Sequence, residues 1–351
     1  MSNPPTKDRL RIGAMAEGAD RWLDVQVLPD FEPLEGPATL TSGTFVPEGL
    51  EPVLFDDADQ KPAQRGTFAV VDAAIYSFLP DLLETSGNRH KCLFRGKALK
   101  DNADAAPWLV ELTPNGSFTR QLMSTEKSPG GLWEKELGIF VKSALSFDKL
   151  WSHLRKFTRI EDETGNWLYY RYWSAPVSTR VMALGNRPEL TQMVSPFFPK
   201  DDPEFEVVLL NSDLNAKLKR VPGTVPPIVR PTMTTAAHRT IRQVRRVQQY
   251  EELIDITLRH VKGSTDLSDD DIHSMLRLKR DGFFDAGFWQ RDHLVKLMVW
   301  EVLLGPEFIE HYASGTVKAI ILSAKAPYEA IMNIEFFLEA QEIRRQEAED
   351  I

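Results

Sequence analysis

At 351 residues, with 42% hydrophobic and 26% charged residues, the chain carries enough apolar mass for two lobes and too much for wholesale disorder. Its net charge of −9 is spread over both halves, leaving neither basic enough to neutralise a phosphate backbone, so no direct nucleic-acid binding is expected. One cysteine excludes an intrachain disulfide; the lack of a membrane-length apolar run and of an apolar core in the opening MSNPPTKDRL argues against membrane insertion and a signal peptide, so a cytoplasmic protein is expected.

Residues 1–66 read as a lead-in with a loose polar start. Within it Trp22–Leu28 (WLDVQVL) alternates apolar and polar residues, the pattern of a half-exposed strand, and Pro29–Gly66 reads as an ordered cover with short apolar pieces. Phe68–Val71 is an unbroken apolar run, which predicts a strand buried on both faces. Leu79, Leu82 and Leu83 then predict a helix stopped by Ser86-Gly87, and Cys92–Phe94 a second strand. A crossover of this length predicts a right-handed β-α-β unit with parallel neighbours.

Further strands are predicted at Pro107–Leu112 and Leu137–Val141, with a short helix between them capped by Ser117 and carrying Phe118, Leu122 and Met123. Ser146 caps a helix whose Phe147, Leu150, Trp151, Leu154 and Phe157 repeat every three or four residues. A hairpin follows, turning at Glu163–Asn166 into Trp167–Trp173 (WLYYRYW), whose aromatics are expected to fill core more than to stack ligands. Pro176 and Pro188 open helices, and Phe205–Leu210 closes the lobe as its last strand. Residues 67–220 thus form an α/β domain, a mixed sheet with a β-α-β unit and flanking helices.

Residues 221–233 are a proline-rich linker, and residues 234–351 an all-α helical lobe. Ile241, Val244, Val247, Tyr250, Ile254, Leu258 and Val261 make one apolar stripe. Ser268, followed by Asp269, Asp270 and Asp271, starts the next helix, in which Leu276 and Leu278 follow. Leu294–Leu304 is apolar nearly all round, as a central helix would be, and Gly305-Pro306 ends it; a last helix runs from about Tyr328 to a solvated end.

The chemistry-bearing motifs are mostly missing. The seven histidines form no metal-ligand spacing, and no phosphate loop, dinucleotide fingerprint or nucleophile elbow follows a strand, so no metal, cofactor or catalytic residue is assigned. Asp292-His293 point to different faces of a helix. Asp72, at a strand end, either caps the following turn or pairs with an arginine such as Arg95. Arg239, Arg242 and Arg246 share a helical face that could grip an acidic partner or be a solvated face balanced by Glu251 and Glu252. The competing reading is a hydrolase or nuclease with a site assembled from Asp72, His153 and Arg171.

In order along the chain, FAVVDAA (Phe68–Ala74), LFRG (Leu93–Gly96), APWLVEL (Ala106–Leu112), FTR (Phe118–Arg120), GIFVKS (Gly138–Ser143), LWSHLRKF (Leu150–Phe157) and WLYYRYWSAPV (Trp167–Val177) resemble the domain-of-unknown-function 4123 family, adaptor or chaperone proteins of bacterial type VI secretion. The resemblance covers about Phe68–Leu190. It implies a non-enzymatic loader that holds a toxic effector in the producing cell and helps mount it on the VgrG spike; a two-lobed chain of this kind is expected to grip the effector's N-terminal segment with both lobes together. The family's recurrent polar positions fall on Asp72, Arg95, Arg155 and Arg171, which the resemblance makes structural or partner-facing. The long lead-in before Phe68 and the Ser124–Leu137 insertion depart from the family's plain pattern.

Overall fold

The computed structural model describes residues 21–35, 43–55, 65–212, 214–224 and 230–349, without the side chains of 247, 248, 344, 345 and 347–349. The expected loose start and the middle of the proline-rich linker lie outside the described residues. The chain divides into two compact units, Met1–Ile241 and Arg242–Ile351.

The first unit is built on strands β1 (Leu23–Val27), β2 (Gly66–Asp72), β3 (His90–Cys92), β4 (Pro107–Leu112), β5 (Gly138–Ser143), β6 (Arg159–Asp162), β7 (Trp167–Tyr169), β8 (Glu206–Leu209), β9 (Ala216–Arg220) and β10 (Thr232–Met233). Its helices are α1 (Glu51–Leu54), α2 (Leu79–Ser86), α3 (Gly96–Asn102), α4 (Ser117–Leu122), α5 (Phe147–Leu154), α6 (Ala175–Met182) and α7 (Pro188–Val194). Seven strands make one sheet in the order β1-β9-β8-β5-β2-β4-β3, and three make a second in the order β10-β6-β7.

The α/β class is as the sequence predicts, and the β-α-β unit is present in split form. β2 and β3 run the same way, yet β4 lies between them, antiparallel to both. Every pairing in the larger sheet is antiparallel; the one parallel pairing among the described strands is β10 on β6. An unbroken apolar run reports coverage on both faces, which β2 has, and says nothing about strand direction. On one face, Ala69 and Val71 join a core with Leu54 of α1, Leu79 and Leu83 of α2, and Phe118 and Leu122 of α4. On the other, Phe68 meets Phe147 of α5 at 6.2 Å, and α6 packs on β5 and β8.

The lead-in is part of that core rather than an appendage. Leu28, Phe31, Leu34 and Val46 are buried in it, and the Leu34 amide and carbonyl bond to Met123 and Thr125. β1 is the half-exposed edge strand expected, paired with β9. β9 itself goes unread in AKLKR, because its lysines mask the alternation that buries Ala216 and Leu218, so Phe205–Leu210 is not the last strand. Gly116, not Ser117, takes the N-cap position of α4, and Ser146 occupies the N-cap of α5 without a side-chain cap bond.

The second unit is all-helical. It comprises most of α8 (Thr235–Val261) with α9 (Asp269–Asp285), α10 (Arg291–Leu304), α11 (Phe308–His311), α12 (Thr316–Ser323) and α13 (Pro327–Glu349). Tyr250, Ile254 and Val261 of α8 pack with Leu276 and Phe283 of α9, Leu297 and Met298 of α10, and Ile331 of α13. Ser268 caps α9 as predicted, its hydroxyl accepting the Asp271 amide. Leu278 is 84% exposed and not core, and α10, apolar nearly all round in sequence, is not buried all round as a central helix would be. Leu303 and Leu304 are exposed, whereas Glu301 is buried and accepts the Glu307 and Phe308 amides, tying down the turn that ends the helix.

Strands β2 and β5 approach so closely at Gly138 that a Cβ there would lie 1.9 Å from the Val70 carbonyl oxygen. Gly138→Ala therefore forces these central strands apart, and a loss of about 3 kcal/mol is expected by urea denaturation, at the upper end of overpacking penalties. An unchanged midpoint would mean that the pair tolerates the shift.

Candidate functional site

Asp72 is the last residue of β2, and its side chain is fully buried. A carboxylate so placed needs hydrogen bonds and a counter-charge. One oxygen accepts the Ala74 amide at 3.0 Å, capping the turn after the strand; the other accepts Nη2 of Arg171 at 2.5 Å. Both roles anticipated for Asp72 are thus filled, but by Arg171 rather than Arg95. Arg171 lies just beyond β7, so the pair ties the end of the central strand to the segment that leaves the hairpin.

Arg95 and Arg155 are brought together by a different residue. The Trp151 indole is buried on α5 and donates to the Cys92 carbonyl at 2.8 Å. Around its ring stand Lys91 at 4.1 Å, Arg95 at 4.2 Å and Arg155 at 5.5 Å from the centroid. Each cation is held by the negative face of the indole. Lys91 also pairs with Asp148, whereas Arg95 and Arg155 have no carboxylate partner among the described residues.

The aromatic stretch after the hairpin turn divides into two parts. Tyr170, Tyr172 and Trp173 are core, as predicted. Trp167, Leu168 and Tyr169, the whole of β7, are 57%, 37% and 60% exposed, so for them core filling is corrected. A guanidinium covers each aromatic ring, Arg230 at 5.2 Å from Trp167 and Arg159 at 4.8 Å from Tyr169. Phe94 stands 6.1 Å from Tyr169 and 6.3 Å from Trp173, linking this strand to Arg95 and the Trp151 cluster.

Residues 67–192 match the family described as a domain of unknown function (DUF4123). That stretch is a DUF4123 domain. No curated protein and no solved structure matches the chain. The DUF4123 domain contains Asp72, Arg95, Arg155 and Arg171 together with the exposed β7, but it does not contain its whole sheet, since β1, β8 and β9 come from outside it.

The remaining predicted residues lie apart from this cluster. His153 shares no contact with Asp72 or Arg171 among the described residues; its Nε2 meets the Phe197 carbonyl at 2.8 Å, among the rings of Phe157, Phe197 and Phe205. Burial pushes the Cys92 thiol up to about 11, which leaves it protonated at neutral pH. On α8, Arg239, Arg242 and Arg246 are exposed, and Arg246 lies 4.0 Å over the Trp289 ring. Glu251 does not balance that face, because it is bonded to Arg277. Among the described residues no group of three potential ligands could hold a metal ion. A cavity of about 450 Å³ opens elsewhere in the first unit, with Ala69, Val71 and Ile139 in its floor and Asp30, Glu134 and Glu136 among its polar lining.

Two outcomes test this geometry. Arg171→Ala leaves the Asp72 carboxylate buried without its cation and is expected to cost about 1–3 kcal/mol, less than a fully enclosed pair because the guanidinium is half in water. The double variant Asp72→Ala/Arg171→Ala should lose less than the two single losses combined; strict additivity in urea denaturation would mean the pair is not coupled.

The second concerns His153. Burial holds it below its usual value of 6.5, with Lys156 acting in the same direction and the Phe197 bond opposing. The unfolded chain takes up the proton first as pH falls, so stability is expected to drop below about pH 6.5, at no more than about 1.4 kcal/mol per pH unit. His153→Gln should remove that slope from the pH dependence of thermal melting.

Proposed function

We propose that the chain is a non-enzymatic adaptor that holds a toxic effector of type VI secretion in the cytoplasm of the producing cell and promotes its mounting on the VgrG spike. The observation that carries this reading is the exposed β7 on a DUF4123 domain, three large side chains in solvent near Arg159 and Arg95, which have no carboxylate partner among the described residues. Aromatic residues and arginines of this kind supply most of the binding energy at protein interfaces. The family's polar positions serve the same end: Asp72 and Arg171 neutralise each other, while Arg95, which is exposed, and Arg155, which is half-buried, are held over an indole.

A catalytic site would gather groups of complementary acidity around one point. Here the candidate base is spent on an ion pair and the candidate histidine is enclosed by phenylalanines. Partners are thus an effector and the spike protein; the negative net charge argues against nucleic acid, and no described helix is long and apolar enough to cross a membrane.

Deleting the gene in the producing bacterium tests the proposal. The effector is expected to stay in the cell while VgrG is still secreted, and the effector should co-purify with the full-length chain. Undiminished export of the effector, or substrate turnover by the purified chain that disappears on Asp72→Ala or His153→Ala, would overturn it.

A further inference from the structure

β7 is an edge strand, paired on one side only, and its register decides which of its amides are free. The Tyr170 amide bonds to the Thr158 carbonyl and the Asp162 amide to the Asn166 carbonyl. In an antiparallel ladder hydrogen-bonded pairs alternate, so Leu168 opposite Ile160 points its N–H and C=O inward to β6. Trp167 and Tyr169 therefore point theirs outward, and no backbone partner meets them among the described residues. The side chains of these same two residues share the sheet face that is away from buried Ile160.

The charges around this edge are lopsided. All three carboxylates of the hairpin are engaged: Glu161 pairs with Arg230 at 2.6 Å, Asp162 accepts bonds from Thr164 and Asn166, and Glu163 accepts the amide and hydroxyl of Thr235. Among the described residues Arg159 bonds to the Tyr169 hydroxyl and to no carboxylate, and Arg95 has its indole but no anion. A second copy of this chain would bring like cations together at the edge. A segment carrying carboxylates would meet them with opposite charge.

We propose that β7 takes up an extended segment of the effector, with acidic and apolar residues in alternation, which adds as a new edge strand beside β7. This rests on the adaptor reading above and names the partner chemistry of the same site. The free amides of Trp167 and Tyr169 supply main-chain hydrogen bonds; the segment's carboxylates lie on the ring face, where Arg159 stands opposite Tyr169, and reach Arg159 and Arg95, while its apolar side chains lie on the other face beside Leu168.

The probe is a short peptide of alternating glutamate and phenylalanine, blocked at both ends and titrated into the full chain by calorimetry. Three comparisons accompany it: the same peptide N-methylated at alternate amides, a peptide with lysine for glutamate, and the chain carrying Tyr169→Pro. That variant removes an outward N–H without touching the bond to β6, and Arg159→Glu replaces it if circular dichroism shows misfolding. Binding of the glutamate peptide is expected, weakened about tenfold or more by N-methylation and by either protein variant, because edge hydrogen bonds or a charge contact are lost. The lysine peptide should not bind. No binding of the glutamate peptide, equal binding of its N-methylated form, or equal binding of the lysine peptide would overturn the proposal. The effector separates the two readings: retention by wild type and equally by Tyr169→Pro leaves the adaptor standing and removes the edge, whereas no retention by wild type removes the adaptor as well.

Discussion

A carboxylate shut away from water at the end of a central strand is tolerable only with a cation fixed beside it, and Asp72 has Arg171. That requirement reaches across the domain, since Arg171 follows directly on β7 and precedes the core residues Tyr172 and Trp173. The main chain between strand and core is thus pinned at both ends, by charge on one side and by ring packing on the other. Tyr172 donates to the Leu154 carbonyl and packs edge-on against Phe197, which anchors the hairpin's return to α5. A strand as short as β7 holds its solvent-exposed rings in place because its two neighbours in sequence are not free to move.

The same domain presents two surfaces of opposite character. One is the aromatic edge with its guanidiniums, reached through Phe94 to the Trp151 cluster. The other is the cavity whose apolar floor of β2 and β5 is bordered by Asp30, Glu134 and Glu136, with no basic residue in its lining. Indoles and guanidiniums suit contacts with anions and rings, whereas acid-bordered apolar clefts do not. The two surfaces therefore do not compete for the same chemistry.

Much of the fold is legible because burial writes itself into residue order. The runs at 68–71 and 107–112, and the three-and-four spacing of Phe147, Leu150, Trp151 and Leu154, identify their elements and buried faces. Strand direction is less legible, since both faces of β2 are covered whichever way its neighbours run. β9 is hidden because its outward positions are lysine and arginine. At the site, residue type alone makes Trp167–Trp173 look uniformly like core; nothing local distinguishes Tyr169, which projects into solvent, from Tyr170, which does not. The arginines are legible as charges, but that Arg95 and Arg155 share one indole depends on α5 lying against β3, a contact no spacing encodes.

The pairing of β1 with β9 has its own consequence, for how the molecule is made. Leu23 is opposite Arg220, and the Trp22 indole donates to the carbonyl of Gly185. At ribosomal speeds, roughly 10–40 s separates the emergence of β1 from that of its partner. During that interval the nascent chain carries an unpaired strand whose tryptophan and leucine belong in the core. Until β9 emerges, that strand is an open edge on which another chain could pair.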